Sequence, residues 1–181
     1  MFRPSNLTCS SHRAPTRRCK LCCVALLPFQ VFFAFGNTDE APALRDVTLH
    51  ETQTSQISDG QGQHLYVGRL GENGGGRIRR ALLSFALGDV IPPGSTVTSA
   101  VLRLSMSRTQ DSSPTAIGVH RVLQEWSEGP SVGTSGQGAP SQTGDSSWTH
   151  AHYNDVLWST PGGCATLSAS ASVEVGPVGI Y

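Results

Sequence analysis

The sequence predicts an all-β fold, a jelly-roll-like antiparallel β-sandwich, and three observations carry this. Charged residues occupy only 14% of 181 positions, while Gly and Pro supply 20 and 11. That balance suits short strands joined by many turns better than it suits helices. Apolar residues alternate with period two through residues 80–87 and 100–106, the signature of a half-buried strand. No window sustains a 3.6-residue apolar period.

The chain opens on an export signal. Residues 1–36 carry Arg3, Arg13, Arg17, Arg18 and Lys20 with no acid, a charge of +5, and residues 21–36 are apolar apart from Gln30. This sixteen-residue run, broken by Pro28, falls short of the ~20 residues that span a bilayer and suits a signal-peptide core. A short membrane anchor is the alternative. Ala34 and Gly36, small and two apart, place cleavage after Gly36. The expected destination is secreted or cell-surface, with no transmembrane segment. Cys9, Cys19, Cys22 and Cys23 would leave with the signal, so Cys164 remains as a single thiol with no partner for an intramolecular disulfide. The fold must then stand on its core.

Residues 37–45, polar and holding Pro42, read as a short tether to one sandwich domain over residues 46–181. A short β-branched run at 46–50 comes first. Residues 64–69 (HLYVGR) lie between two glycine-rich turns, SDGQGQ and GENGGG. From Arg80 the chain alternates, with Ala81, Leu83, Phe85 and Leu87 on one face and Arg80, Leu82 and Ser84 on the other. Pro92, Pro93 and Gly94 force a turn. Ala100, Leu102, Leu104 and Met106 then alternate with Val101, Arg103 and Ser105. The expected core is therefore Ala81, Leu83, Phe85, Ala100, Leu102 and Leu104. Ile117 and Val119 open a strand running towards Trp126, and residues 166–175 form another. Between them, residues 128–147 are a Gly/Ser/Pro/Gln stretch, long enough to be read as a functional or mobile loop.

Several runs in succession carry a resemblance: LYVGR, GGGRIRRALLSFAL, IPPGSTVTSAVLRLSMSR, VHRVLQEWSEG, SSWTHAHY and LWSTPGG. In order and spacing they resemble the DNRLRE-domain family of bacterial secreted proteins, which is related to carbohydrate-binding modules for acidic polysaccharides such as alginate. The resemblance covers residues 46–181 and implies a jelly-roll sandwich used as a non-catalytic binding or adhesion module. Cys164 stands where the family has an acidic residue. The family domain also continues beyond the point matching Tyr181, which implies a domain missing its last strands and an edge open to self-association.

Candidate ligand contacts follow from chemistry. Trp148, Tyr153 and Trp158 lie beside the long loop, where aromatic faces are displayed to stack on sugar rings. Trp126, flanked by Glu125 and Glu128, could stack likewise, but a Trp at a strand end more often packs in the core. Arg77 and Arg79 follow a glycine-rich turn, and a guanidinium pairs bidentately with a carboxylate such as that of a uronic acid. The competing reading has these arginines on a solvated strand face, paired with the chain's own acids.

His150 and His152 are two apart and would share a strand face, with Asp155 as a third metal ligand. Surface or hydrogen-bonding histidines are the plainer reading. No cofactor is implied. Structural calcium suits an extracellular sandwich, but no EF-hand spacing is present and no metal ligand is assigned.

Beyond residue 36 the chain has eight arginines against thirteen carboxylates, a net of −5, which argues against a nucleic-acid partner. No G-x-S-x-G elbow or HExxH spacing occurs. The expected function is a non-catalytic extracellular module binding polysaccharide or another surface glycan. A structural surface-protein domain without ligand is the alternative. A polysaccharide-degrading enzyme using Tyr153 and His150 as acid and base is the third reading.

Overall fold

The structure, a computed structural model, describes residues 1–13, 37–53, 56–134 and 136–181. Its regular elements are almost all strands. In chain order they are β1 (Phe2–Arg13), β2 (Asn37–Ala41), β3 (Ala43–His50), β4 (Ile57–Ser58) and β5 (Gly68–Arg69). They continue with β6 (Ile78–Phe85), β7 (Ser95–Met106), β8 (Thr115–Val119), β9 (Ala139–Pro140) and β10 (His150–His152). Last come β11 (Val156–Leu157), β12 (Ala171–Val175) and β13 (Gly179–Ile180). A one-turn helix at Leu87–Val90 links β6 to β7. No helix among the described residues is long and apolar enough to cross a membrane.

All strand pairs are antiparallel, and the fold is all-β as the alternation predicts. One sheet has the order β13-β7-β1-β2 and a second the order β3-β6-β5. The second sheet is apolar on both faces. Val47, Leu49 and Leu82 point one way, into a cluster with Trp126, Ala151 and Trp158. Ala81 and Leu83 point the other way and meet Leu65, Leu104, Met106, Ile117 and Tyr181, which joins this sheet to β7 and β8. This double cover corrects the expected core. Leu82, assigned to the outer face, is 7% exposed, and Ala100 is exposed. Ala81, Leu83, Phe85, Leu102 and Leu104 are half-buried. Leu87 leaves the alternation for the short helix and is exposed.

The polar tether is instead strand. Residues 37–41 form β2, and β3 begins at Ala43. A strand at the margin of a sheet is held by backbone bonds and needs no apolar pattern, and Pro42, lacking an N–H, separates the two. Residues 2–13 of the expected signal form β1, which pairs with β2 and with β7. The apolar run at 21–36 lies outside the described residues. At the other end, only residues 171–175 of the expected 166–175 strand pair, with β8. The final turn, expected to find no partner, returns as β13 onto β7, with Leu104 and Tyr181 exchanging backbone bonds of 2.8 and 3.0 Å.

The Gly/Ser-rich stretch at 128–147 is not a loose loop. Ser131, Asp145, Ser146 and Ser147 are completely buried. Asp145 accepts the Ser131 N–H at 3.1 Å, the Gln142 N–H at 2.6 Å and the Ser131 hydroxyl. Asp59, on the segment facing it, accepts the Gly133 N–H at 2.7 Å. Burying a carboxylate is costly unless such donors satisfy it, so these acids specify the loop path. Gly129 is required here: its φ is 79°, and a Cβ would lie 2.0 Å from the Asp145 carboxylate.

Candidate functional site

The described surface has a cleft of about 160 Å³ lined by His50, Glu51, Thr52, Ile57, Leu70, Arg77, Ile78, Arg79 and Gln137. It forms where β3 and β6 end side by side. The register pairs His50 with Arg79, so both side chains leave the same face. Arg77 stands just before β6, at the close of the hairpin from β5, where the Leu70 N–H bonds the Arg77 carbonyl at 2.9 Å. The long loop supplies the opposite wall with Gln137. Gly138, at φ 69°, passes so close to the sheet that a Cβ would lie 2.3 Å from Ile57 and 3.2 Å from His50 Nε2.

The charges in the cleft are unequal in availability. Glu51 is engaged, its Oε2 accepting the Ile78 N–H at 2.6 Å. Arg77 is exposed. The Arg79 guanidinium lies 5.5 Å from the Tyr66 ring centroid, stacked as a cation over an aromatic face. Asp59 is near enough to Arg79 that each acts on the other's titration. Burial, reinforced by Arg79, pulls His50 down to about 4, so at neutral pH its imidazole is uncharged. His50 is 4% exposed, and its Nε2 is buried without a hydrogen-bond partner. His50 is thus neutral at neutral pH, Glu51 keeps its charge while one oxygen is held by backbone, and Arg77 and Arg79 are the cationic groups of the lining.

Beside β3 the opposite sign gathers. Burial first, then the neighbouring Glu128 and Asp59 carboxylates, push Asp46 up to about 6. Among the described residues no three His, Cys, Asp or Glu side chains form a metal-ligand group.

The structure brings Arg77 and Arg79 together in the cleft, whose lining includes none of the three aromatic candidates. Trp158 does not display a stacking face. It is 5% exposed in the first core cluster, with its Nε1 donating to the Ser147 carbonyl at 2.9 Å. Folding of the adjacent loop covers it, which corrects its assignment as a sugar platform. Trp126 is a core residue too, under the Arg45 guanidinium at 5.0 Å. Trp148 is half-buried against the same core, on the sheet face opposite Arg79, with Arg80 5.3 Å from its ring. Tyr153 is half-buried and meets His150 edge-on, with ring centroids 5.2 Å apart and planes at 76°.

The two histidines of β10 are tied to different hydroxyls. His150 Nδ1 lies 2.8 Å from Thr149 Oγ1, and His152 Nδ1 lies 2.9 Å from Ser127 Oγ. Tyr66, His50 and Gln137 are the residues in and around the cleft that reading the sequence missed. Only Tyr66, in the run before a glycine turn, left any local trace. No protein-family model, curated protein or solved structure matches the chain.

Proposed function

We propose that this protein is a non-catalytic extracellular binding module for acidic polysaccharide, gripping ligand carboxylates in the cleft of Arg77 and Arg79. The observation that supports it is that Arg77 and Arg79 both line one concavity, where one oxygen of Glu51 is bonded to backbone and His50 is uncharged. Guanidinium–carboxylate pairing is charge-assisted and planar, so it selects a uronate over a neutral sugar. The cleft is smaller than the roughly 300–1,000 Å³ typical of drug-sized ligand sites, so it takes one carboxylate-bearing unit of a chain whose remainder lies on the surface. Neither Trp148 nor Tyr153 lines the cleft; Trp148 packs against the core on the other sheet face.

Export rests on the N-terminal pattern of a basic stretch, an apolar core and cleavage after Gly36, a cleavage that would take β1 out of its place between β2 and β7. N-terminal sequencing of the secreted protein then begins at or near Asn37, and recovery of Arg3 and Lys20 in that species refutes the export reading. A glycan array probed with the protein tests the binding reading. Retention on uronate-containing glycans and not on neutral ones is the expected result. An array with no retained glycan leaves the structural-domain reading in its place.

A further inference from the structure

We propose that Gln56 and Thr149 are the two ends of a self-made ester cross-link, formed when the Thr149 hydroxyl attacks the Gln56 side-chain amide and expels ammonia. The residue before β4 and the residue before β10, 93 apart in the chain, meet here side by side. Gln56 Oε1 accepts two hydroxyls, from Thr149 Oγ1 at 2.8 Å and from Ser147 Oγ at 2.8 Å. Thr149 Oγ1 also lies 2.8 Å from His150 Nδ1. A nucleophile, a base and an amide carbonyl therefore share one contact network, the arrangement that covalent chemistry at a hydroxyl needs.

The two hydroxyls have different roles. Ser147 Oγ accepts the His150 backbone N–H at 3.3 Å, which leaves its own proton for Gln56 Oε1. It lies 3.5 Å from His150 Nδ1, against 2.8 Å for Thr149 Oγ1, so Thr149 is the hydroxyl that the imidazole deprotonates. Thr149 has one proton and two acceptors, Gln56 Oε1 and His150 Nδ1. Turned to Nδ1, that proton leaves an oxygen lone pair for the amide, whose carbon is one bond behind Oε1. The imidazole then serves as general base, the commonest side chain in that role. Ser147 stays on Oε1 and stabilises the negative charge that develops there.

The step balances without a co-reactant. The Thr149 proton passes to His150 Nδ1, the Oγ1–Cδ bond forms, and the carbonyl electron pair moves onto Oε1. On collapse the Cδ–Nε2 bond of Gln56 breaks, and His150 returns the proton to the departing nitrogen, which leaves as ammonia. Holding the groups in contact replaces an encounter in solution, the main advantage of an intramolecular reaction. Ser147 is completely buried, and Gln56, Thr149 and His150 are half-buried, which limits the access of water to the ester. Cross-linking residues so far apart in the chain stabilises a fold chiefly by restricting its unfolded state. Cys164, a free thiol, supplies no such link.

Intact-mass spectrometry of the full chain, denatured after folding, tests this without any variant. The expected mass is that of the sequence from its measured N-terminus, less one ammonia. Digestion should yield a linked pair of peptides carrying Gln56 and Thr149, which neutral hydroxylamine separates with a hydroxamate left at position 56. Thr149→Ser should keep the link, and Thr149→Val should restore the full sequence mass. His150→Gln should slow linkage after cell-free synthesis by roughly tenfold or more. A parent chain at its full sequence mass overturns the proposal. So does ammonia loss mapped to any other pair of residues, Ser147 included, or linkage at the parental rate in His150→Gln.

Discussion

Asp145 holds Ser131 at two points, accepting its backbone N–H at one carboxylate oxygen and its hydroxyl at the other. The pair joins residues fourteen apart in the chain, and both are fully buried. With the Gln142 N–H also bound, this carboxylate organises a segment that would otherwise have little apolar surface to bury.

Removing that carboxylate should release the loop. Asp145→Ala is expected to lower unfolding stability by roughly 3–5 kcal/mol, since hydrogen bonds to a charged group contribute more than neutral ones and the donors are left buried and unpaired. Chemical denaturation measures the loss. Limited proteolysis should then cut within residues 128–147 of the variant and leave the parent intact there.

The two tryptophans flanking residues 149–157 should behave differently. Trp158→Ala is expected to cost about 3–5 kcal/mol, as other large core truncations do. Trp148 is only half-buried, so Trp148→Ala should cost distinctly less. Thermal unfolding of the pair of variants decides this, and equal losses would mean that Trp158 is not the deeper residue.

Stability should also carry two opposing pH slopes. His50 titrates at about 4 in the fold against 6.5 unfolded, so its contribution is complete above 6.5 and is lost as pH falls towards 4. Asp46 titrates at about 6 against 3.8 unfolded, so its contribution is complete below 3.8 and is lost as pH rises through 6. Between about 4 and 6 the slopes oppose each other. Denaturation midpoints across this range should therefore fall with rising pH in His50→Gln and rise with pH in Asp46→Asn.

The strands whose burial is periodic were legible in the sequence, and those held by other means were not. The alternation through residues 80–87 and 100–106 marks β6 and β7, though its first stretch runs past the end of β6 at Phe85 into the short helix. It misleads about the inner face, because alternation presumes one wet side and β6 is covered on both. β2 has no apolar pattern, since it is stabilised by backbone bonds to β1. The order of the long loop depends on Asp59 and Asp145, acids whose partners no local spacing reveals. The cleft was half legible for the same reason. Arg77 and Arg79 stand together in the chain, while His50 and Gln137 reach them only through the β3–β6 register and the returning loop.

Carboxylate recognition by the arginine cleft is tested most directly by calorimetric titration of the folded protein with uronate oligosaccharides and with neutral ones of equal length. The uronates should bind with an affinity that weakens as salt is raised, and the neutral sugars should not bind. Arg77 is exposed, so Arg77→Gln should leave stability within about 0.5 kcal/mol. The same substitution should weaken uronate binding about tenfold or more, the loss of one charge-assisted pair. Equal affinity for charged and neutral sugars, or uronate binding untouched by Arg77→Gln and Arg79→Gln together, would contradict it.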